Sequence, residues 1–168
     1  MEIFILINYY LKKFFWWTKK PTPTIDDEEI VARFLFDKKN DLTTENGKSV
    51  VKWNALMPYP KNSKDGNRSV SRISRFCFKE IQILCNKEVI EKMKCKNKKK
   101  LLGWANINVS DIKKQNSIII IPDDPPYRHA IIIDWPEERQ KRELIAKELA
   151  MKASTILNDK FSISNSLE

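Results

Sequence analysis

Residues 117–134 read Ser-Ile-Ile-Ile-Ile-Pro-Asp-Asp-Pro-Pro-Tyr-Arg-His-Ala-Ile-Ile-Ile-Asp. Four isoleucines in a row, stopped by Pro122, predict a strand: Cβ-branched side chains suit an extended chain, and proline removes the amide that would continue a ladder. Asp123-Asp124-Pro125-Pro126 predicts a rigid turn, and His129 to Asp134 the next strand. These two strands are expected as neighbours in one sheet. The chain shows no strict alternation of strand and helix, so an α+β layer is expected.

Upstream, Glu29 to Phe36 (EIVARFLF) and Val50 to Leu56 predict two further strands, separated by a loop over 37–49 that holds Asp, Asn, Thr and Gly47. Lys61 to Arg68 is polar and reads as a turn, and Ser69 to Arg75 as a short strand or the approach to a helix. Over 76–93, Cys77, Ile81, Leu84, Cys85 and Val89 recur at three- and four-residue steps, the mark of an amphipathic helix. Leu101 to Ile107 is the next strand, followed by a short helix over 109–115 opened by Ser110 or Asp111. Trp135-Pro136-Glu137-Glu138 opens a second amphipathic helix, with Leu144, Ile145, Leu149, Ala153, Ile156 and Leu157 along one side as far as Asn158.

The expected fold is therefore α+β, a small mixed sheet packed by two amphipathic helices over residues 25–158. An apolar helix over 1–20 precedes it on a proline-containing linker at 21–24, and a frayed tail at 159–168 follows. At 168 residues the chain suits one domain with a real core. Lys and Arg exceed Asp and Glu by 31 to 22, and a net charge of +9 favours contact with nucleic acid or another anionic surface. Three cysteines, Cys77, Cys85 and Cys95, form no CxxC pair, which argues against a disulfide scaffold and for a reducing cytoplasm. Cys77 and Cys85 are expected to face a core. The single histidine lies far from them in sequence, so no metal site and no cofactor is expected.

The first twenty residues, MEIFILINYYLKKFFWWTKK, are far more apolar than the charged chain after them. They lack the basic start and small-residue cleavage site of a secretory signal, and Lys12 and Lys13 interrupt a span too short to cross a bilayer. As a helix, Ile3, Ile7, Tyr10, Phe14 and Trp17 form one stripe, while Ile5, Tyr9 and Trp16 cover another side. The stripe predicts docking into a larger partner subunit, ahead of packing on its own domain and of lying in a membrane interface.

Three glycines in the chain leave no phosphate-cradling loop. The acidic runs at 26–29 and 123–124 lack the spacing of a metal hydrolase or nuclease centre. His129, beside Arg128, is the candidate for acid–base chemistry, with Ser71, Cys77 and Asp134 as conceivable companions. A hydrogen-bonded structural role is the stronger expectation for it. Arg72 and Arg75, with Lys96, Lys98, Lys99 and Lys100, are the candidate phosphate contacts: sequence-blind point charges in two clusters flanking the central helix. Trp53 and Trp104 have apolar neighbours and are expected to pack rather than to stack bases.

The succession VARFLF, SVSRIS, LLGWANINVSDI, PPYRHAIIIDWP and ELAMKAS, over residues 29–155, resembles small bacterial proteins that carry no motif of established mechanism. The resemblance assigns no family and transfers no functional residue. With the apolar first segment, it makes the expected function that of a non-enzymatic accessory or adaptor subunit of a bacterial multi-protein assembly, such as a nucleic-acid-acting defence complex. A small hydrolase or nuclease using His129 and a peripheral membrane protein held by residues 1–20 are the alternatives.

Overall fold

The computed structural model describes residues 2–18, 24–58, 68–91, 100–123 and 127–158. Among these residues, eight strands form a six-stranded sheet of order β6-β7-β4-β1-β5-β8 and a separate hairpin, β2-β3. In chain order the elements are α1 (Glu2–Thr18), β1 (Ile30–Leu35), α2 (Lys38–Asp41), β2 (Leu42–Glu45), β3 (Lys48–Val51), α3 (Trp53–Leu56) and β4 (Arg68–Arg72). Then come α4 (Phe78–Leu84) with a π-helical turn (Cys85–Ile90), β5 (Gly103–Asn108), α5 (Val109–Lys113), β6 (Ile119–Pro122), β7 (His129–Ile133), α6 (Arg139–Lys152) and β8 (Ser154–Leu157). The α+β class is as the sequence predicts, and each ladder of the sheet is antiparallel. The pair read first, β6 and β7, are neighbours, with Ile119 opposite Ile133 and Ile121 opposite Ile131.

The central strand β1 is buried on both faces, which is why it reads as an apolar run broken only by Arg33. Val31 and Leu35 enter one core with Leu56, Ile112, Ile145 and Leu149, so α3, α5 and α6 cover that face. Ala32 and Phe34 enter the other with Ile81, Leu84, Cys85 and Trp104, under α4. Trp104 is fully buried, its ring 4.9 Å from that of Phe78.

Several elements differ from the sequence reading. The loop over 37–49 contains α2 and a hairpin whose two-residue turn is Asn46-Gly47, both at positive φ, the pairing that a type I′ turn requires. Residues 50–56 do not continue as one strand: the ladder ends at Val51, which faces Leu42, and the chain turns into α3. The N-cap of α5 is Asn108, one position before the helix, rather than Ser110 or Asp111. The last helix begins at Arg139, after Pro136 and the two acids, and stops at Lys152, so Ile156 and Leu157 belong to β8 beside β5. Cys85 faces a core as expected, and burial pushes its thiol up to about 12, which keeps it protonated and inert. Cys77 instead sits exposed at the N-cap of α4. Cys95 and the tail 159–168 lie outside the described residues.

Candidate functional site

Helix α1 lies against α4 with its polar side inward. Lys12 Nζ donates to both oxygens of Glu80 at 2.8 Å, and Asn8 Nδ2 donates to Oε1 of the same residue at 2.7 Å. Glu80 also accepts the amide of Cys77 at 2.9 Å, so one buried carboxylate caps α4 and holds α1. Lys13 pairs with the buried Glu88, which accepts the Tyr9 hydroxyl at 3.3 Å as well. Eight residues of plain α-helix would leave Glu88 roughly 80° round the axis from Glu80. The wider π-helical turn, which contains Glu88, delays the register and brings the second carboxylate back toward the first. Tyr9 itself is 0% exposed, edge-on to Tyr127 at 5.9 Å and to Phe76 at 6.3 Å. Burial, reinforced by the charge of Glu88, raises its phenol well above the ordinary value, so it stays a hydrogen-bond donor.

With its polar side committed, α1 turns its apolar side outward. Ile3, Phe4, Leu6, Ile7, Tyr10, Leu11, Phe14 and Phe15 are all exposed, Phe4 at 77%. At about 100° per residue they fall within about half of the helix circumference, and from Ile3 to Phe15 no polar residue interrupts that arc. The predicted stripe Ile3, Ile7, Tyr10 and Phe14 lies inside it; the side chain of Trp17 lies outside the described residues. Beside the arc, a groove of about 300 Å³ between α1 and α4 is lined by Ile5, Leu6, Lys79 and Ile83, with Gln82 and Asn86 offering amide groups.

The other predicted residues are dispersed. Arg72 is buried and meets Glu29 in a two-pronged ion pair, Nε at 2.9 Å and Nη2 at 2.5 Å, so its guanidinium faces a carboxylate rather than solvent phosphate. Arg75 is exposed at φ 70°, and its carbonyl accepts Lys12 Nζ at 3.0 Å. Lys100 is exposed; Lys96, Lys98 and Lys99 lie outside the described residues. Arg128 donates through Nε to the carbonyl of Arg72 at 2.6 Å and covers the ring of Phe76 at 5.1 Å. His129 Nδ1 lies 2.9 Å from Asp123 Oδ2. Ser71 stands opposite His129 across the β4–β7 ladder, yet no hydrogen bond joins their side chains, and neither cavity described here is lined by the histidine. Trp53 is half-buried on the α6 side of the sheet, with Lys147 over its ring.

Compared with protein families, curated proteins and solved structures, the chain finds no match.

No helix among the described residues is long and apolar enough to cross a membrane. Among them, too, no group of three His, Cys, Asp or Glu residues is placed to hold a metal ion. Sequence reasoning located the outer stripe of α1 but not the two glutamates that turn it outward. Glu80 and Glu88 are charged positions in a helical pattern, and nothing local distinguishes them from solvated ones.

The Glu29–Arg72 pair makes stability depend on acid. Burial alone would raise the Glu29 carboxyl, but the hydrogen bond and charge of Arg72, the Asp26 amide and the charge of Arg128 outweigh it and hold the carboxyl below the usual range. A depressed folded value contributes stability above the unfolded value, about 4.3 for glutamate, that is lost as pH falls through the folded value. Urea midpoints measured from neutral pH downward should therefore fall more steeply for the native chain than for Glu29→Gln. Parallel curves would show that the pair does not couple folding to protonation.

Proposed function

We propose that this protein is a non-enzymatic accessory subunit of a bacterial multi-protein assembly, docked onto a larger protein through the outer face of α1. The observation that carries the reading is the exposed apolar arc of α1 from Ile3 to Phe15, on a helix whose polar side is tied to Glu80 and Glu88. A contiguous apolar face of this kind marks an interaction surface. Two features favour a protein occupant over a lipid surface. Interfacial helices present their cations to lipid headgroups, whereas Lys12 and Lys13 point inward and are held by carboxylates. The groove beside the arc, with the amides of Gln82 and Asn86, offers shaped, hydrogen-bonding recognition that a bilayer does not use.

The net charge of +9 suits an assembly that acts on nucleic acid, such as a defence complex. We place the protein in the cytoplasm, where unpaired cysteines such as Cys77 and Cys85 stay reduced.

The test is a triple variant, Ile7→Ser, Leu11→Ser and Phe14→Ser. Because these side chains are exposed, its unfolding free energy should stay within about 1 kcal/mol of the native chain. Native purification from the source cells should yield a stoichiometric protein partner with the native chain and none with the variant. Flotation of the native chain on liposomes, abolished in the variant, would move the face to a membrane role. A dimer abolished in the variant would make the occupant a second copy, and retention of the partner by the variant would remove α1 from the interface.

A further inference from the structure

On the opposite face of the sheet from α1, a cavity of about 430 Å³ opens between α3, the first residue of β4 and the first turn of α6. Its volume is within the range of about 300–1,000 Å³ typical of small-molecule sites. Arg68, Arg139 and Arg142 line it, and no Asp or Glu is among its described lining residues. Arg68 is buried and donates to the carbonyls of Asn54, at 3.3 Å, and Ala55. Arg142 donates through Nη1 to the carbonyls of Pro136 at 2.9 Å and Glu137 at 2.6 Å. Carbonyl dipoles orient the Arg142 guanidinium without cancelling its charge. Trp53, Met57 and Pro58 supply the apolar wall.

The start of α6 points the same way. Its first turn holds Arg139, Lys141 and Arg142, no acid, and no side chain caps the terminus. The helix dipole makes this end positive, so cations here are disfavoured unless an anion joins them. Arg139 does pair with Glu143 and Lys141 with the N-cap residue Glu138, but three of these four side chains are well exposed, and exposed pairs contribute little.

We propose that this cavity binds a nucleotide, with its phosphates against Arg68, Arg139, Arg142 and the start of α6 and its base against Trp53. Three guanidinium groups match the charge and forked geometry of phosphate oxygens, and the tryptophan face suits a planar base. The proposal is independent of the docking face: it lies on the other layer and uses none of its residues.

Calorimetric titration with ATP, inorganic tripolyphosphate, adenosine and a terminally phosphorylated single-stranded oligonucleotide tests it. ATP should bind, tripolyphosphate should compete more weakly, and adenosine should bind weakest of the three. The double variant Arg139→Gln, Arg142→Gln should weaken ATP binding by at least about tenfold, since each charge-assisted hydrogen bond is worth that order. Arg139 is exposed and Arg142 only partly buried, so the variant should fold, which its unfolding transition verifies. The Ile7, Leu11 and Phe14 serine variant should bind ATP as the native chain does, so a failure of docking leaves this result untouched. Absence of ATP binding at millimolar concentration, or binding indifferent to the double variant, overturns the proposal. Tripolyphosphate binding as tightly as ATP removes the base subsite. An oligonucleotide that outbinds ATP and depends on the same arginines replaces a free nucleotide by a strand end.

Discussion

Replacing Tyr9 by alanine should lower the free energy of unfolding by about 3–5 kcal/mol, the usual cost of removing a fully buried aromatic ring. The ring is enclosed by Tyr127, Phe76 and Tyr10, and its hydroxyl donates to Glu88, so a cavity and a weakened polar contact arise together. Glu80 and Glu88 would keep Lys12 and Lys13 nearby, but two partly exposed lysines cannot replace the packing. Proteases should then cut within residues 2–18 at concentrations that leave the native chain intact. Tyr9→Phe keeps the ring and should lose only about 1 kcal/mol. A Tyr9→Ala protein within about 1 kcal/mol of native stability would mean that α1 does not pack on α4 in solution.

Gly103→Ala should be nearly as damaging, although it adds a single methyl group. Gly103 faces Leu157 across the β5–β8 ladder. A Cβ there would collide with the carbonyl oxygen of Ile156 and lie 2.9 Å from the Cα of Leu157. Both are backbone atoms and cannot rotate away, so β8 must move as a unit. The loss should be about 3 kcal/mol, at the upper end for overpacking. The shift would also strain the bond from the Val51 amide to Thr155 Oγ1 that ties the hairpin to β8. Urea unfolding measures the loss, and amide exchange should be fastest along Ser154–Leu157. A variant within about 0.5 kcal/mol of the native chain, with β8 still protected, would show that β8 does not approach β5 this closely.

Trp104, read as a packing residue, is the largest fully buried side chain among the described residues. The strands over 30–35, 103–108, 119–122 and 129–133 were all legible because burial imposes a local rule on composition: a strand covered on one or both faces must be apolar and is often branched at Cβ. The same rule misled at the end of the last helix. Ile156 and Leu157 continue its three- and four-residue steps, yet the edge of β5 needs a hydrogen-bonding partner and captures 154–157 as β8. The arginines of the proposed nucleotide cavity, Arg68, Arg139 and Arg142, are far apart in sequence and converge only because α6 packs on the face behind β4.

The sequence by itself determined that the first twenty residues carry an apolar helix and that a strand-rich α+β layer follows, because helical and extended periodicities are properties of neighbouring residues. It determined the outer stripe Ile3, Ile7, Tyr10 and Phe14 for the same reason. Which side of that helix meets the domain was decided only in three dimensions. Both sides carry large apolar groups, and the choice fell to Lys12 and Lys13 meeting Glu80 and Glu88, about seventy residues away and aligned by a π-helical turn. A charge buried without a partner costs several kcal/mol, so the two glutamates draw the lysines inward and the apolar arc is left facing out.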